Sequence, residues 1–198
     1  MNFYISDLHF GHKNCLSFDK RPFFTLKEME EELIKRWNER VGRNDNVYIL
    51  GDLFWNNERA GEILHSLHGN KFLIQGNHDR INEEMRKELV WCDKQIVNIK
   101  DEGLHVILSH YPIACWEAQF HTPPSIHLYG HIHASRDERP YDEYAKLWSN
   151  AWHMPFLAAN VGCMLHYMDY GPRTLKEIAA AKGWDLEEIR NTPWRGNN

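Results

Sequence analysis

Phe3-Tyr4-Ile5-Ser6-Asp7-Leu8-His9 joins a short apolar run to an aspartate and a histidine. Consecutive aromatic and β-branched residues favour a β-strand. The polar residues then fall where the strand ends and a loop begins. In open α/β sheets, ligands bind beyond the carboxyl ends of the strands. The stretch therefore predicts a strand that delivers Asp7 and His9 to a binding site.

The same pattern recurs four times along the chain, with Asp, Asn or His after an apolar run. Residues 47–50 precede Asp52, residues 72–74 precede Asn77, His78 and Asp79, residues 106–108 precede His110, and residues 126–129 precede His131 and His133. Glycines at positions 51, 76 and 130 stand beside these polar residues, where a sharp backbone turn is expected. We expect five strand ends to bring the polar side chains to one edge of a sheet.

Helical patterns alternate with the apolar runs. Thr25 and Thr174 each begin a capping-box pattern, and Asn82 is a candidate cap for a helix that carries Leu89. Gly183 is a typical helix stop. Strands that alternate with helices predict an α/β chain.

Further segments complete the prediction. Residues 95–99 and 156–161 favour strands, and residues 100–103 favour a hairpin turn into residues 105–108. Residues 114–124 and 136–152 are interpreted as loops at the rim of a substrate site. With no repeat or long linker, the 198 residues are expected to form one domain, 1–198.

Composition excludes several classes of protein. The chain is 42% hydrophobic, and no apolar run approaches the ~18 residues of a membrane span. The start lacks the pattern of a secretion signal, so we expect a cytoplasmic protein without a membrane partner. A net charge of −5 counts against binding of extended nucleic acid. The charge does not exclude a short oligonucleotide or a cyclic nucleotide as the substrate.

The residue types at the predicted strand ends indicate a metal site. Carboxylate, imidazole and amide oxygen without thiolate suit Mn, Fe, Zn, Co or Ni. Two adjacent cations need a shared anion, and Asp52 is the natural candidate. Such a pair can bind a phosphate and activate water.

The motifs resemble those of the calcineurin-like metallophosphoesterase superfamily. The matching blocks are Asp7-x-His9, Gly51-Asp52, Gly76-Asn77-His78-Asp79, His110 and Gly130-His131-x-His133. Residues 6–14 and 160–162 are most similar to the small single-domain bacterial and phage members. The resemblance implies two mixed β-sheets packed as a sandwich and flanked by helices.

The resemblance also implies two divalent metal ions, with manganese the first choice. One ion would be held by Asp7, His9, Asp52 and His133, and the other by Asp52, Asn77, His110 and His131. A metal-bridging hydroxide would attack the phosphorus. His78 would stabilise the phosphate charge or protonate the leaving oxygen.

The implied function is hydrolysis of a small or nucleotide-type phosphate ester by a phosphodiesterase. The alternatives are a phosphomonoesterase, a nuclease on short oligonucleotides, and a catalytically silent scaffold. His12 and Arg21 are candidates to contact the substrate phosphate. One departure is that residues 53–57 lack the acid or arginine that often orients the catalytic histidine, so Asp79 is predicted as its substitute.

Overall fold

The computed structural model describes residues 1–93 and 96–191. The strands are β1 (Asn2–Ile5), β2 (Asn46–Ile49), β3 (Asn70–Ile74), β4 (Leu89–Asp93), β5 (Val97–Asp101), β6 (Leu104–Leu108), β7 (Ile126–Tyr129), β8 (Ala158–Asn160) and β9 (Arg173–Thr174). The helices are α1 (Cys15–Phe18), α2 (Leu26–Arg40), α3 (Ala60–Ser66), α4 (Glu83–Glu88), α5 (Glu138–Trp152), α6 (Leu175–Lys182) and α7 (Leu186–Asn191). No helix in these two ranges has the length and apolarity to cross a membrane.

The strands form two mixed sheets. The first has the order β4-β3-β2-β1-β9, in which only β9 runs antiparallel to its neighbour. The second has the order β5-β6-β7-β8, in which β5 and β6 are antiparallel and the other pairs are parallel. The predicted α/β class, with two mixed sheets flanked by helices, is confirmed.

One apolar core joins both sheets to the helices that cover them. Trp37 of α2, Ile49 of β2 and Leu128 of β7 all lie in it and are fully buried. Burying each such side chain contributes about 1.5–3 kcal/mol. A smaller aromatic cluster, which includes Trp148, packs α5 against β7 and β8. The core thereby fixes the two sheets, and the loops at their ends, relative to each other.

The predicted helix caps are confirmed. The side chains of Thr25, Asn82 and Thr174 each accept a hydrogen bond from the backbone N–H three residues on. Thr174 also completes its capping box with Glu177. Gly183 ends α6 with φ 70°, a conformation that glycine adopts without steric cost. Caps depend on neighbouring residues, and the sequence therefore reveals them.

Two local predictions were wrong. Leu89 does not belong to the helix capped by Asn82, which is α4. It begins strand β4 instead, because it pairs with Lys71 of β3. Residues 136–152, interpreted as a loop, contain α5. Tyr141, Tyr144 and Trp148 recur at spacings of three and four, which is the helical period. In the predicted strand 95–99, Gln95 lies outside the described residues, and β5 begins at Val97.

Candidate metal centre

The predicted ligands follow strands of both sheets. Asp7 and His9 follow β1, Asp52 follows β2 and Asn77 follows β3, whereas His110 follows β6 and the pair His131 and His133 follows β7. The prediction that all these side chains lie at the edge of one sheet was therefore wrong, because they come from both sheets. The site lies where the carboxyl ends of strands from the two sheets meet. At this point Ser6 forms a parallel bridge with Gly162.

The structure arranges these side chains in two groups whose ligand atoms converge. The first group is Asp7, His9 and His133, and the second is Asp52, His110 and His131. Within each group, the ligand atoms lie within 4.8 Å of one another. Asn77 joins the second group, because its Oδ1 lies 3.0 Å from His110 Nε2.

Asp52 lies between the two groups. Its Oδ2 is 3.8 Å from His9 Nε2 in the first group, and its Oδ1 is 3.6 Å from His110 Nε2 in the second. The carboxylate is almost completely buried. A buried carboxylate with one oxygen toward each group can share its charge between two cations.

The hydrogen bonds of two histidines leave lone pairs for a cation. Nδ1 of His110 donates to the carbonyl oxygen of Leu50 at 2.8 Å, and Nδ1 of His133 donates to Asp19 Oδ1 at 2.8 Å. In a neutral ring, the proton on Nδ1 leaves Nε2 with a lone pair. His110 Nε2 then faces the amide oxygen of Asn77, an acceptor opposite an acceptor. A cation bound between these two atoms would make the contact favourable.

Burial and neighbouring charges shift the pKa values of all three residues in the first group. Burial, reinforced by the charge of His133, lowers the pKa of His9 to about 2, so its ring is neutral at neutral pH. Burial raises the pKa of Asp7, although His133 partly offsets this effect. Burial opposes the charged form of His133, but hydrogen bonding to Asp19 and attraction to Asp7 raise its pKa overall. A bound cation would favour the ionised carboxylate and the neutral rings.

The backbone of the candidate ligands is unusual. Asp7, His9, Asp52, His131 and His133 all have left-handed φ angles, between 50° and 71°. Such conformations cost about 1 kcal/mol or more for residues with a Cβ, and they cluster at functional sites. Five of the seven candidate ligands share this strain, so the surrounding loops hold them in directions that an unstrained backbone would not give.

Two glycines make room for the ligand side chains. A Cβ on Gly51 would lie 2.2 Å from His110 Nδ1, and one on Gly76 would lie 2.2 Å from Asp52 Oδ1. Gly51 also has φ +87°. Gly76 is required by the close approach of a ligand rather than by the sharp turn that the sequence suggested.

Arg21 does not serve as the predicted phosphate contact. Its buried guanidinium donates to the carbonyl oxygens of Asp7 at 2.8 Å and Leu8 at 2.9 Å, and to Asp19 Oδ2. These bonds use the polar edges of the guanidinium, and no surface remains for a substrate. Arg21 instead holds the loop that carries Asp7.

Asp79 does not act on the His78 ring as predicted. Its carboxylate accepts backbone N–H groups from Asp52 and Leu53 at 2.9 Å and from Gly76 at 2.8 Å. The predicted catalytic role is therefore corrected to a structural one. Asp79 ties the loop after β2 to the loop after β3, and so sets Asp52 beside His78.

His78 and His12 both lie beside the two groups. Nε2 of His78 is 3.9 Å from Asp52 Oδ2, and the ring is partly exposed. The ring of His12 is mostly buried and stacks on Trp55, with 3.9 Å between centroids. His12 thus offers little surface to a substrate, because Trp55 covers one of its faces.

Asp19 and Asn160 also support the candidate ligand His133, although neither has a role predicted from the sequence. Asp19 fixes the ring of His133, while Nδ2 of Asn160 donates to the carbonyl oxygen of His133 at 2.9 Å. Asn160 Oδ1 also accepts from Gly162 N. Asn160 was visible only as part of the 160–162 block, and nothing in the sequence near Asp19 signals its partner.

We expect Asp19→Asn to weaken Mn²⁺ binding by roughly 10- to 100-fold, because partners that orient a ligand histidine commonly have this effect. Isothermal titration calorimetry on the chelator-treated protein measures the affinity. Asp142→Asn, on the exposed surface of α5, is the matched control. Unchanged affinity in Asp19→Asn would contradict the orienting role.

Comparison with known proteins finds both sequence relatives and solved structures that are similar to this chain. The chain is 36% identical over 141 residues to the uncharacterized protein MJ1445 of Methanocaldococcus jannaschii, covering 69% of this chain and 72% of that protein. It is 33% identical to the gene 66 proteins of Mycobacterium phages L5 and D29, over 55% of this chain and 62% of each phage protein. No family model matches.

Among the similar solved structures is that of AQ665, a protein of unknown function from Aquifex aeolicus. It superposes with a TM-score of 0.69 at 24% identity, over 91% of this chain and 98% of that one. This likeness supports the fold alone. The identity to MJ1445 goes further, and the chain belongs to the same protein family as that uncharacterized archaeal protein.

Proposed function

We propose that this chain is a metal-dependent phosphoesterase that hydrolyses small phosphate esters, with diesters as the preferred class. The observation that carries the proposal is the position of Asp52 between two convergent groups of ligand atoms. The two mixed sheets would then be a metallophosphoesterase fold, as the sequence motifs suggest.

Asp7, His9 and His133 would hold one divalent cation, and Asn77, His110 and His131 the other, with Asp52 shared. The mixed nitrogen and oxygen donors suit manganese among the metals considered. When bound, two such cations neutralise phosphate charge and lower the pKa of a coordinated water. The residues of this chain supply the orientation of the donors and a proton for the leaving group.

His78 is the candidate proton donor. Its ring lies at the edge of the donor groups without belonging to either, and its backbone N–H donates to Asp52 Oδ1 at 3.0 Å. A proton held on Nε2 can pass to the leaving oxygen. The contact with Asp52 anchors the histidine, and partial exposure leaves its ring accessible to substrate.

The preference for diesters rests on Arg21. A phosphate monoester carries up to two negative charges near neutral pH, and a guanidinium fork is well suited to bind them. Arg21 is withdrawn into contacts with Asp19 and two carbonyl oxygens. A diester carries one negative charge and therefore needs less positive charge from the protein for binding.

The test is hydrolysis of bis-p-nitrophenyl phosphate and of p-nitrophenyl phosphate by chelator-treated protein, with and without Mn²⁺. We expect Mn²⁺ to restore turnover of the diester above that of the monoester. Failure to hydrolyse either ester while Mn²⁺ is bound would refute the enzyme hypothesis and favour a scaffold. Faster turnover of the monoester would contradict the diester preference.

We expect His78→Ala to lower kcat by roughly 10²–10⁴-fold, the usual contribution of a general acid. Mn²⁺ affinity should stay near the wild-type value, because His78 belongs to neither donor group. His65→Ala is the matched control, since His65 is exposed on α3. An unchanged kcat in His78→Ala would remove this residue from the mechanism.

A further inference from the structure

Exposed aromatic side chains are concentrated at the candidate metal centre. In the part of the chain that the structure describes, the large exposed aromatic residues are Phe18, Phe24, Trp55, Tyr111 and Trp152. Three of these five contact the ring of a candidate ligand histidine or of His78. We name these three, Phe18, Trp55 and Tyr111, the aromatic rim.

Trp55 is fixed in place although half of its surface is open. Its backbone N–H donates to the carbonyl oxygen of Phe10 at 2.8 Å, and its ring stacks on His12 with an interplanar angle of 10°. The ring centroid is also 4.7 Å from that of His78. The side chain nevertheless remains 50% exposed. It therefore offers a preformed apolar surface beside the candidate proton donor.

Phe18 and Tyr111 add an exposed ring beside each of the two donor groups. The ring of Phe18, 54% exposed, lies 5.6 Å from His133 in the first group. The ring of Tyr111, 47% exposed, lies 4.4 Å from His131 in the second group. An exposed ring thus borders each donor group, and Trp55 borders His78, the candidate proton donor.

We infer that the aromatic rim binds a planar ring carried by the substrate, so that the preferred substrate is a phosphate ester of nucleoside type. The inference rests on the proposed function, because the rim borders the site where the phosphate would bind. Flat aromatic side chains stack on nucleobases of any sequence, which typically strengthens binding roughly tenfold or more. The net charge of −5 favours a single nucleotide unit over a polymer.

The experiment measures binding to the Mn²⁺-loaded protein by calorimetry, with AMP, ribose 5-phosphate and hexyl phosphate as probes. We expect AMP to bind roughly tenfold tighter than the other two. Trp55→Ala, Phe18→Ala and Tyr111→Ala should each reduce this preference. Phe24→Ala is the matched control, because Phe24 is 95% exposed and lies outside the rim. Thermal unfolding of each variant verifies that it folds.

The outcomes separate this inference from the function on which it rests. Equal affinity for AMP and ribose 5-phosphate, with bis-p-nitrophenyl phosphate still hydrolysed, would overturn the aromatic inference alone. Hexyl phosphate binding as tightly as AMP would also overturn it, because a general apolar surface would then suffice. A preference for AMP that none of the three substitutions reduces would assign base recognition elsewhere. Absence of any hydrolysis with Mn²⁺ bound would overturn the proposed function as well.

Discussion

Replacing Asp52 with asparagine is expected to abolish metal-dependent hydrolysis, with a loss of at least about a thousandfold. The substitution keeps the shape of the side chain but removes the negative charge that both donor groups share. Two cations would then repel each other without a bridging anion. A loss of several kcal/mol of transition-state stabilisation corresponds to about this factor.

Two measurements distinguish this effect from unfolding. Without metal, Asp52→Asn should unfold at a temperature close to that of the wild type. Added Mn²⁺ should raise the wild-type Tm, because a ligand that binds only the folded state stabilises it, and should raise the variant's Tm much less. Asp142→Asn removes an exposed carboxylate from α5 and should change neither property. Two Mn²⁺ ions bound to Asp52→Asn with wild-type affinity would contradict a bridging role.

Arg21→Met is expected to lower the free energy of unfolding by about 3–5 kcal/mol, the usual cost of breaking a buried ion pair. The Asp19 side chain would stay buried without the guanidinium, and the carbonyl oxygens of Asp7 and Leu8 would lose the N–H groups that Arg21 donates. Urea denaturation measures the loss. Arg43→Met, at an exposed position, should stay within about 0.5 kcal/mol of the wild type.

A double variant tests the pairing itself. Asp19→Asn combined with Arg21→Met should cost less than the sum of the single changes, because residues in contact are not independent. A stable Arg21→Met variant with weakened phosphate affinity would contradict the structural role of Arg21. That result would restore Arg21 to the substrate role that its sequence context suggested.

Arg21 and Asp79 show why sequence alone misassigned two site residues. Asp79 belongs to a metal-binding motif, Arg21 follows the first ligand loop, and both have the chemistry that a phosphate site uses. Apart from the Asp19 carboxylate that pairs with Arg21, the partners described above are backbone groups, namely the carbonyl oxygens of Asp7 and Leu8 and the N–H groups of Asp52, Leu53 and Gly76. Backbone groups carry no signature in the sequence, so only the folded chain reveals them.

The gap after Asp52 acquires a different meaning in the structure. The sequence showed that residues 53–57 lack the usual partner of a catalytic histidine. The fold places Trp55 from this segment against both His12 and His78. Backbone pairing of Phe10 with Phe54 determines this position. Pairing between segments more than 40 residues apart does not follow from local patterns.

Local patterns along the chain were enough to predict the α/β class, the helix caps at Thr25, Asn82 and Thr174, and the strand ends that carry the seven candidate ligands. These features depend on residues close together in the chain, through side-chain alternation and local hydrogen bonds. The convergence of two sheets on one site and the position of Asp52 between two donor groups arise through long-range folding. The same folding sets five of those ligands in left-handed backbone conformations. Such strain persists only where the surrounding packing imposes it, and that packing exists only in the folded chain.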